Sequence, residues 1–117
     1  MMERRRHKRF NVSDNALAFI NNAPCMIQDI SEGGMMLQSV VLEDEPADNL
    51  KLDIFVGSDN FYLQDVPVRL ISRSQRQSTV PFSVVQVRCF GFQFGELTEQ
   101  QKSRLDYFIA RNTIGEA

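Results

Sequence analysis

The sequence predicts a mainly β protein: a small six-stranded antiparallel β-barrel with one C-terminal α-helix and a basic N-terminal arm. Apolar residues alternate with a period near two through the middle of the chain, and helical spacing follows once, after residue 97. Positive charge is concentrated in the first ten residues. A chain of 117 residues that is 43% hydrophobic and contains nine Phe can bury the core of one domain.

The first strands are predicted as a hairpin. In "NALAFI", residues 15–20, Ala16, Ala18 and Ile20 share one face, and "NNAP" supplies turn residues before "CMIQDI" at 25–30. A third strand is predicted in "GMMLQSVV", residues 34–41, and a solvated acidic loop in "EDEPAD", residues 43–48.

The later strands carry two irregularities. "LKLDIFV" at 50–56 alternates cleanly and the turn sequence "GSDN" follows, but the next strand, residues 61–73, contains Pro67, which indicates an edge position or a bulge. In "VVQVRCFGFQF", residues 84–94, the apolar parity changes without loss of hydrophobicity. This change predicts a bulge near Cys89–Gly91, or a strand that crosses from one side of a barrel to another.

The last element is predicted as a helix over residues 98–112. Thr98 with Gln101 three residues later fits a capping box, and Leu105, Phe108 and Ile109 have helical spacing. A series of strands followed by one helix, without βαβ alternation, favours an antiparallel barrel or a curled sheet closed by that helix.

The charge distribution is strongly segregated. Residues 1–10 carry five Lys or Arg and one Glu, whereas residues 11–117 carry eight Lys or Arg and fourteen Asp or Glu. A basic run of this kind is either a solvated tail or an arm that closes on an anion. An acidic body argues against a groove that follows a nucleic-acid backbone, so a single-stranded nucleic-acid-binding barrel is the weaker alternative.

The sequence gives little support for a secreted, membrane-inserted, metal-binding or catalytic protein. The N-terminus is charged and the apolar runs are short, so we expect neither a signal peptide nor membrane insertion. We therefore expect a cytoplasmic protein. Cys25 and Cys89 lie far apart in predicted strands and are expected to be buried free thiols rather than metal ligands. With one His and no nucleophile–base pair or Walker-type loop, no catalytic residue is predicted, and no metal site.

The segment "QDISEGGMML", residues 28–37, combines polar groups with glycine at the end of a strand. Asp29 and Ser31 alternate with Ile30 and are expected on one face, and Gly33–Gly34 allow a turn with positive φ and little bulk. A carboxylate, a hydroxyl and bare backbone suit a guanine, and arginines suit its phosphates and ring face. The alternative is that Asp29 and Ser31 only form an Asx- or ST-type turn.

Together these segments resemble the PilZ domain family. Arg5 to Arg9 fit RxxxR, residues 29–34 fit DxSxxG, and "GFQFGEL" fits the G-x-x-F-x-x-L segment of the family. The resemblance covers nearly the whole chain, and it implies a PilZ-like barrel and a non-catalytic receptor for the bacterial second messenger cyclic di-GMP.

The resemblance also implies roles for individual residues. Arg5 and Arg9 would hold phosphates and guanine faces, while Asp29, Ser31 and the glycines Gly33 and Gly34 would form the complementary rim. The residue before RxxxR is Arg4, which implies two cyclic di-GMP molecules per chain.

The predicted organisation is an arm at 1–12, a barrel with its helix at 13–112 and a short tail at 113–117. We expect the arm to be mobile without ligand and ordered by it, passing the signal to a downstream effector protein. The alternative within the family is a PilZ-like adaptor that binds no ligand.

Overall fold

The computed structural model describes residues 8–13, 15–39, 46–80 and 83–117. The elements are β1 (Phe10–Val12), β2 (Ala16–Ile20), β3 (Ala23–Ile30), β4 (Gly34–Ser39), β5 (Asn49–Val56), a 3₁₀ turn (Gly57–Asp59), β6 (Phe61–Val80), β7 (Ser83–Phe94), α1 (Glu99–Asn112) and β8 (Thr113–Glu116).

Six of the strands close into an antiparallel barrel. The order is β2-β5-β6-β7-β4-β3, and β3 pairs again with β2 to complete the ring. This confirms the predicted six-stranded barrel with a C-terminal helix. The two short strands lie beside it: β1 pairs with the end of β3, and β8 pairs with β1.

The barrel interior is lined by the apolar residues that alternate along the strands in the sequence. Ala16, Ala18 and Ile20 of β2 are buried, as predicted for one face of that strand. On β7, Phe90 and Phe92 belong to the core, and Leu105 and Phe108 of α1 close it. The helix therefore covers the barrel with the apolar face that its spacing predicts.

The predicted turns and the helix cap are present. Asn21 and Asn22 both have positive φ, 51° and 69°, as a two-residue hairpin loop between β2 and β3 requires. Thr98 Oγ1 accepts a hydrogen bond from Gln101 N at 3.0 Å, and Gln101 Oε1 accepts one from Thr98 N at 3.0 Å, which is a full capping box. Residues 43–45 of the acidic loop lie outside the described residues, as do residues 40 and 41 at the end of the third predicted strand. In the described part of the loop, Ala47 and Asp48 are exposed as predicted, but Pro46 is buried.

The parity change in β7 is matched by a bulge on the neighbouring strand. β7 pairs with β4 without a register shift, but its pairing with β6 skips one residue. Leu70 pairs with Phe92 and Ser72 with Gly91, which leaves Ile71 as the extra, exposed residue. A bulge near Cys89–Gly91 is thus confirmed, and it belongs to β6.

Pro67 lies beside the end of β7, where its carbonyl accepts a hydrogen bond from Gly95 N at 2.8 Å. It pairs with Lys51 of β5, and pairing with β7 begins one residue later, at Val68. A register shift follows Leu52, opposite Asp65, whose φ is 57°. The nearby bulge fits the prediction that was made from the proline, whereas an edge position does not, because β6 lies between β5 and β7 in the closed barrel.

Both cysteines are free and buried, as expected. Burial raises the pKa of the Cys25 thiol, against a smaller opposing effect of a hydrogen bond with Ser39.

Candidate functional site

The turn between β3 and β4 is organised by Ser31. Its hydroxyl oxygen accepts hydrogen bonds from Gly33 N at 3.1 Å and Gly34 N at 3.2 Å, and its own N–H donates to Gly34 O at 2.8 Å. Ser31 is only 8% exposed. For this residue the ST-type turn is therefore present, and the hydroxyl acts first on the shape of the loop.

Asp29 is positioned by a bulge. The pairing of β3 with β4 shifts between Ile27 and Asp29, so Asp29 is half-buried and the next residue, Ile30, points into the core. Asp29 lies between two strands, opposite Asn11 of β1 and Met36 of β4. The strand end thus holds this carboxylate on the outside of the barrel beside β1.

The glycines of the motif serve close packing. Neither Gly33 nor Gly34 adopts a positive φ, so that part of the prediction was wrong; among the described glycines only Gly115 does. A Cβ on Gly34 would overlap the carbonyl oxygen of Phe92 and lie 3.1 Å from its carbonyl carbon. Gly33 O accepts a hydrogen bond from Phe94 N at 2.9 Å. The turn is therefore held against β7, which leaves no room for a side chain at Gly34.

Arg9, the last residue of the basic segment before β1, lies beside the β3–β4 turn. Phe10 pairs with Ile30, so Arg9, the residue before Phe10, and Ser31, the residue after Ile30, come to one end of the β1–β3 ladder. Arg9 is half-buried, and its carbonyl accepts a hydrogen bond from Ala117 N at 2.9 Å. The structure thus brings Arg9, Asp29, Ser31, Gly33 and Gly34 together. Arg4 and Arg5 lie outside the described residues.

Two neighbours of the site were missed by the sequence analysis. Strand β8 pairs with β1, and Glu116 forms an ion pair with Lys8 at 3.3 Å between exposed side chains. A cavity of about 280 Å³ separates the β3–β4 turn from α1, with Ser31 and Glu32 on one wall and Lys102 and Asp106 among the helix residues on the other. Neither feature has a local signal, because both depend on where the C-terminal part of the chain packs.

Two other features are absent from the part of the chain that the structure describes. The described residues contain no helix that is long and apolar enough to span a membrane. They also contain no cluster of three or more His, Cys, Asp or Glu side chains that could hold a metal ion.

The fold is a small β-barrel in which Lys8 and Arg9, at the end of the basic N-terminal segment, lie next to a glycine turn. Residues 3–111 match the PilZ domain family, and this chain belongs to that family. No curated protein sequence matches it.

Three solved structures show the same fold. The PilZ domain with c-di-GMP of YcgR from Escherichia coli is 16% identical with a TM-score of 0.67, and the match covers 93% of both chains. MrkH from K. pneumonia in its apo state is 13% identical with a TM-score of 0.67, and 94% of this chain matches 49% of that one. PlzA from Borreliella burgdorferi in complex with c-di-GMP is 16% identical with a TM-score of 0.55, covering 89% of this chain and 48% of that one. The chain therefore spans about half the length of MrkH and of PlzA.

Proposed function

We propose that this protein is a receptor for cyclic di-GMP. The observation that carries the proposal is the β1–β3 register, which brings Arg9 of the RxxxR motif to the DxSxxG turn. The family supports it, as do the relatives from Escherichia coli and Borreliella burgdorferi whose structures contain c-di-GMP. The receptor is cytoplasmic and has no catalytic activity of its own.

Each residue of the site would contact a different part of the ligand or support the residues that do. The guanidinium groups of Arg5 and Arg9 bind phosphate oxygens and stack on guanine faces, as their planar, permanently charged shape allows. The half-buried Asp29 carboxylate accepts hydrogen bonds from the N1–H and amino group of a guanine. Ser31 acts through the turn it holds, and the backbone of Gly33 and Gly34 forms the floor. Residues 1–12 are the ligand-binding arm, which ends in β1, and residues 13–112 are the domain that carries the rim. Residues 113–117 are a short C-terminal segment, in which β8 pairs with β1.

The signal would pass to a partner protein through the arm. We expect cyclic di-GMP to slow amide exchange at residues 3–9, because several charge-assisted hydrogen bonds would form there at once. Hydrogen exchange with and without the ligand measures this, and the 3–9 segment is compared with β5 (Asn49–Val56) as an internal reference. Equal exchange of the arm in both states would reject the ordering step.

We expect two cyclic di-GMP molecules per chain at saturation. A second dinucleotide brings two more phosphate charges and two more guanines, and Arg4 beside Arg5 supplies a cation and a flat stacking surface for them. Calorimetric titration of the wild type, Arg4→Leu and the control Arg73→Leu measures the ratio, since Arg73 lies on β6. We expect two molecules for the wild type and the control, and one for Arg4→Leu.

The same titration separates the possible outcomes. A ratio of one in the wild type rejects the ligand dimer, and a ratio of two in all three proteins keeps the dimer but removes Arg4 as its cause. No binding at all would identify the chain as a PilZ adaptor without ligand.

A further inference from the structure

The strand that follows Arg9, β1, is held on one side by the last strand of the chain. β1 pairs with β3 through Phe10 and Asn11, and with β8 along its whole length, from Phe10 to Val12. The β8 side also extends one step further, because Ala117 N donates a hydrogen bond to Arg9 O at 2.9 Å. Residues 113–117 therefore fix the backbone of the arm at the arginine itself.

The backbone of β1 determines where the Arg9 side chain points. Phe10 pairs with Ile30, which is fully buried in the core. The residues on either side of Phe10, Arg9 and Asn11, therefore face away from the barrel interior. Asn11 pairs with Asp29, so Arg9 and Asp29 lie on the same outer side of the β1–β3 ladder. A displacement of β1 would move the guanidinium group away from this carboxylate.

Backbone hydrogen bonds contribute more to this arrangement than charge does. The ion pair between Lys8 Nζ and Glu116 Oε1 spans 3.3 Å, but the two side chains are 74% and 60% exposed. Ion pairs between exposed side chains stabilise a fold little, because water screens them. The hydrogen bond from Ala117 N to Arg9 O continues a strand ladder and acts on the main chain directly.

The path of β8 toward Arg9 depends on one glycine. The pairing of β8 with β1 shifts register, since Asn11 pairs with Gly115 and Val12 with Thr113. Ile114 is the extra residue of this bulge and is 74% exposed. Gly115 has a φ of 143°, and no atom beyond its chain neighbours lies within 4 Å of a Cβ placed there. Glycine is thus required at 115 by its backbone conformation and not by packing.

We propose that β8 positions Arg9 for the ligand, and that Gly115 is the residue that directs the chain to it. The inference rests on the proposed function, because cyclic di-GMP is the ligand that Arg9 would contact. It adds that affinity depends on residues 113–117, which support the arm from the side opposite to β3. The coupling is reciprocal, so a ligand that fixes Arg9 also stabilises β8.

Gly115→Val tests the proposal, with Ile114→Ala as the matched control on the same strand. Valine strongly disfavours positive φ, so β8 should pair less and Arg9 should be in place in fewer molecules. By calorimetry we expect Gly115→Val to weaken binding of cyclic di-GMP about tenfold, and Ile114→Ala to bind like the wild type. The thermal unfolding midpoint should stay near that of the wild type, since no residue of β8 belongs to the core.

The two enantiomers of alanine at position 115 separate positioning from a general effect of substitution. A recombinant 1–88 thioester is ligated at Cys89 to a synthetic 89–117 peptide that contains L-Ala or D-Ala at this position, or the natural glycine. D-residues favour positive φ and L-residues do not. We expect D-Ala to keep the affinity within about twofold of the glycine protein, and L-Ala to weaken it about fivefold.

Two further measurements examine the mechanism. Glu116→Gln removes the charge of the ion pair and keeps the strand, so the affinity should stay within about twofold of the wild type. Cyclic di-GMP should slow amide exchange of Ala117 in the wild type, because its N–H donates to Arg9 O. A role in stability alone would not make this exchange depend on the ligand.

Four results would each overturn the proposal: equal affinities of Gly115→Val and the wild type, equal loss with D-Ala and L-Ala, a loss in Glu116→Gln as large as in Gly115→Val, or exchange of Ala117 that ignores the ligand. A wild type that binds no cyclic di-GMP refutes the receptor function instead. Positioning of the arm is then tested without ligand, by amide exchange of Phe10 and Asn11. Gly115→Val should accelerate this exchange and Ile114→Ala should not, and equal rates in both variants would refute the positioning role.

Discussion

Replacing Gly34 with alanine is expected to destabilise the protein by about 3 kcal/mol or more. The added Cβ would overlap the carbonyl oxygen of Phe92, a backbone atom of β7 that cannot rotate away. Gly34 pairs with Gln93 in the β4–β7 ladder, and the adjacent turn is bonded to β7 through Gly33 O and Phe94 N. Relief of the clash would therefore require β4 and β7 to separate.

Urea denaturation followed by circular dichroism measures this loss, with Gly57→Ala as the matched control. A Cβ on Gly57 would meet only the Phe55 ring, at 3.5 and 3.7 Å, which is ordinary contact. We expect the midpoint of the control to stay near that of the wild type. Equal midpoints for Gly34→Ala and the wild type would contradict the packing role of this glycine.

Features with a local cause were predictable from the sequence. The hairpin loop needs two residues that tolerate positive φ, and Asn21–Asn22 supply them. The helix start needs a side chain that accepts from the first turn, and Thr98 with Gln101 does so. Alternation of apolar residues gave the inner faces of β2 and β5 because one face of each strand is buried.

Features that depend on the partner strand were not predictable. The parity change in β7 indicated an irregularity, but the extra residue is Ile71 on β6, and only the pairing identifies it. Residues 113–116 form β8 because β1 offers an unpaired edge there, whereas their own sequence, "TIGE", has no alternation. The unpaired edge of β1 exists only in the folded chain. The sequence of β8, the strand that pairs with this edge, therefore carries no strand signal.

The candidate site shows the same division. The two motifs placed Arg9, Asp29 and the turn residues, and the β1–β3 register brings them together. The sequence left open whether Ser31 forms an ST-type turn, which its hydrogen bonds from Gly33 N and Gly34 N show, and it did not reveal that packing against Phe92 requires a glycine at position 34. Residue types in a motif indicate which chemistry is available, but the hydrogen bonds decide which groups are already used by the fold.

Arg5→Ala, Arg9→Ala and Asp29→Ala should each weaken binding of cyclic di-GMP at least about tenfold. Removing one charged hydrogen-bonding partner commonly costs about 1.5–3 kcal/mol, and about 1.4 kcal/mol corresponds to a tenfold change in affinity. The fold should persist in all three variants. Arg9 and Asp29 are half-buried outside the core, and Arg5 precedes the first strand, β1.

Calorimetry gives the affinities, and thermal unfolding separates a lost contact from a lost fold. Arg73→Ala on β6 is the control for the removal of one positive charge, and it should bind like the wild type.

Ser31→Ala is the informative comparison, because the Ser31 hydroxyl accepts hydrogen bonds from Gly33 N and Gly34 N. It should lower the free energy of unfolding by about 1–3 kcal/mol together with the affinity. If the three charged variants all bind like the wild type, the site must be elsewhere on the barrel. If Ser31→Ala loses affinity with unchanged stability, its hydroxyl contacts the ligand rather than holding the turn.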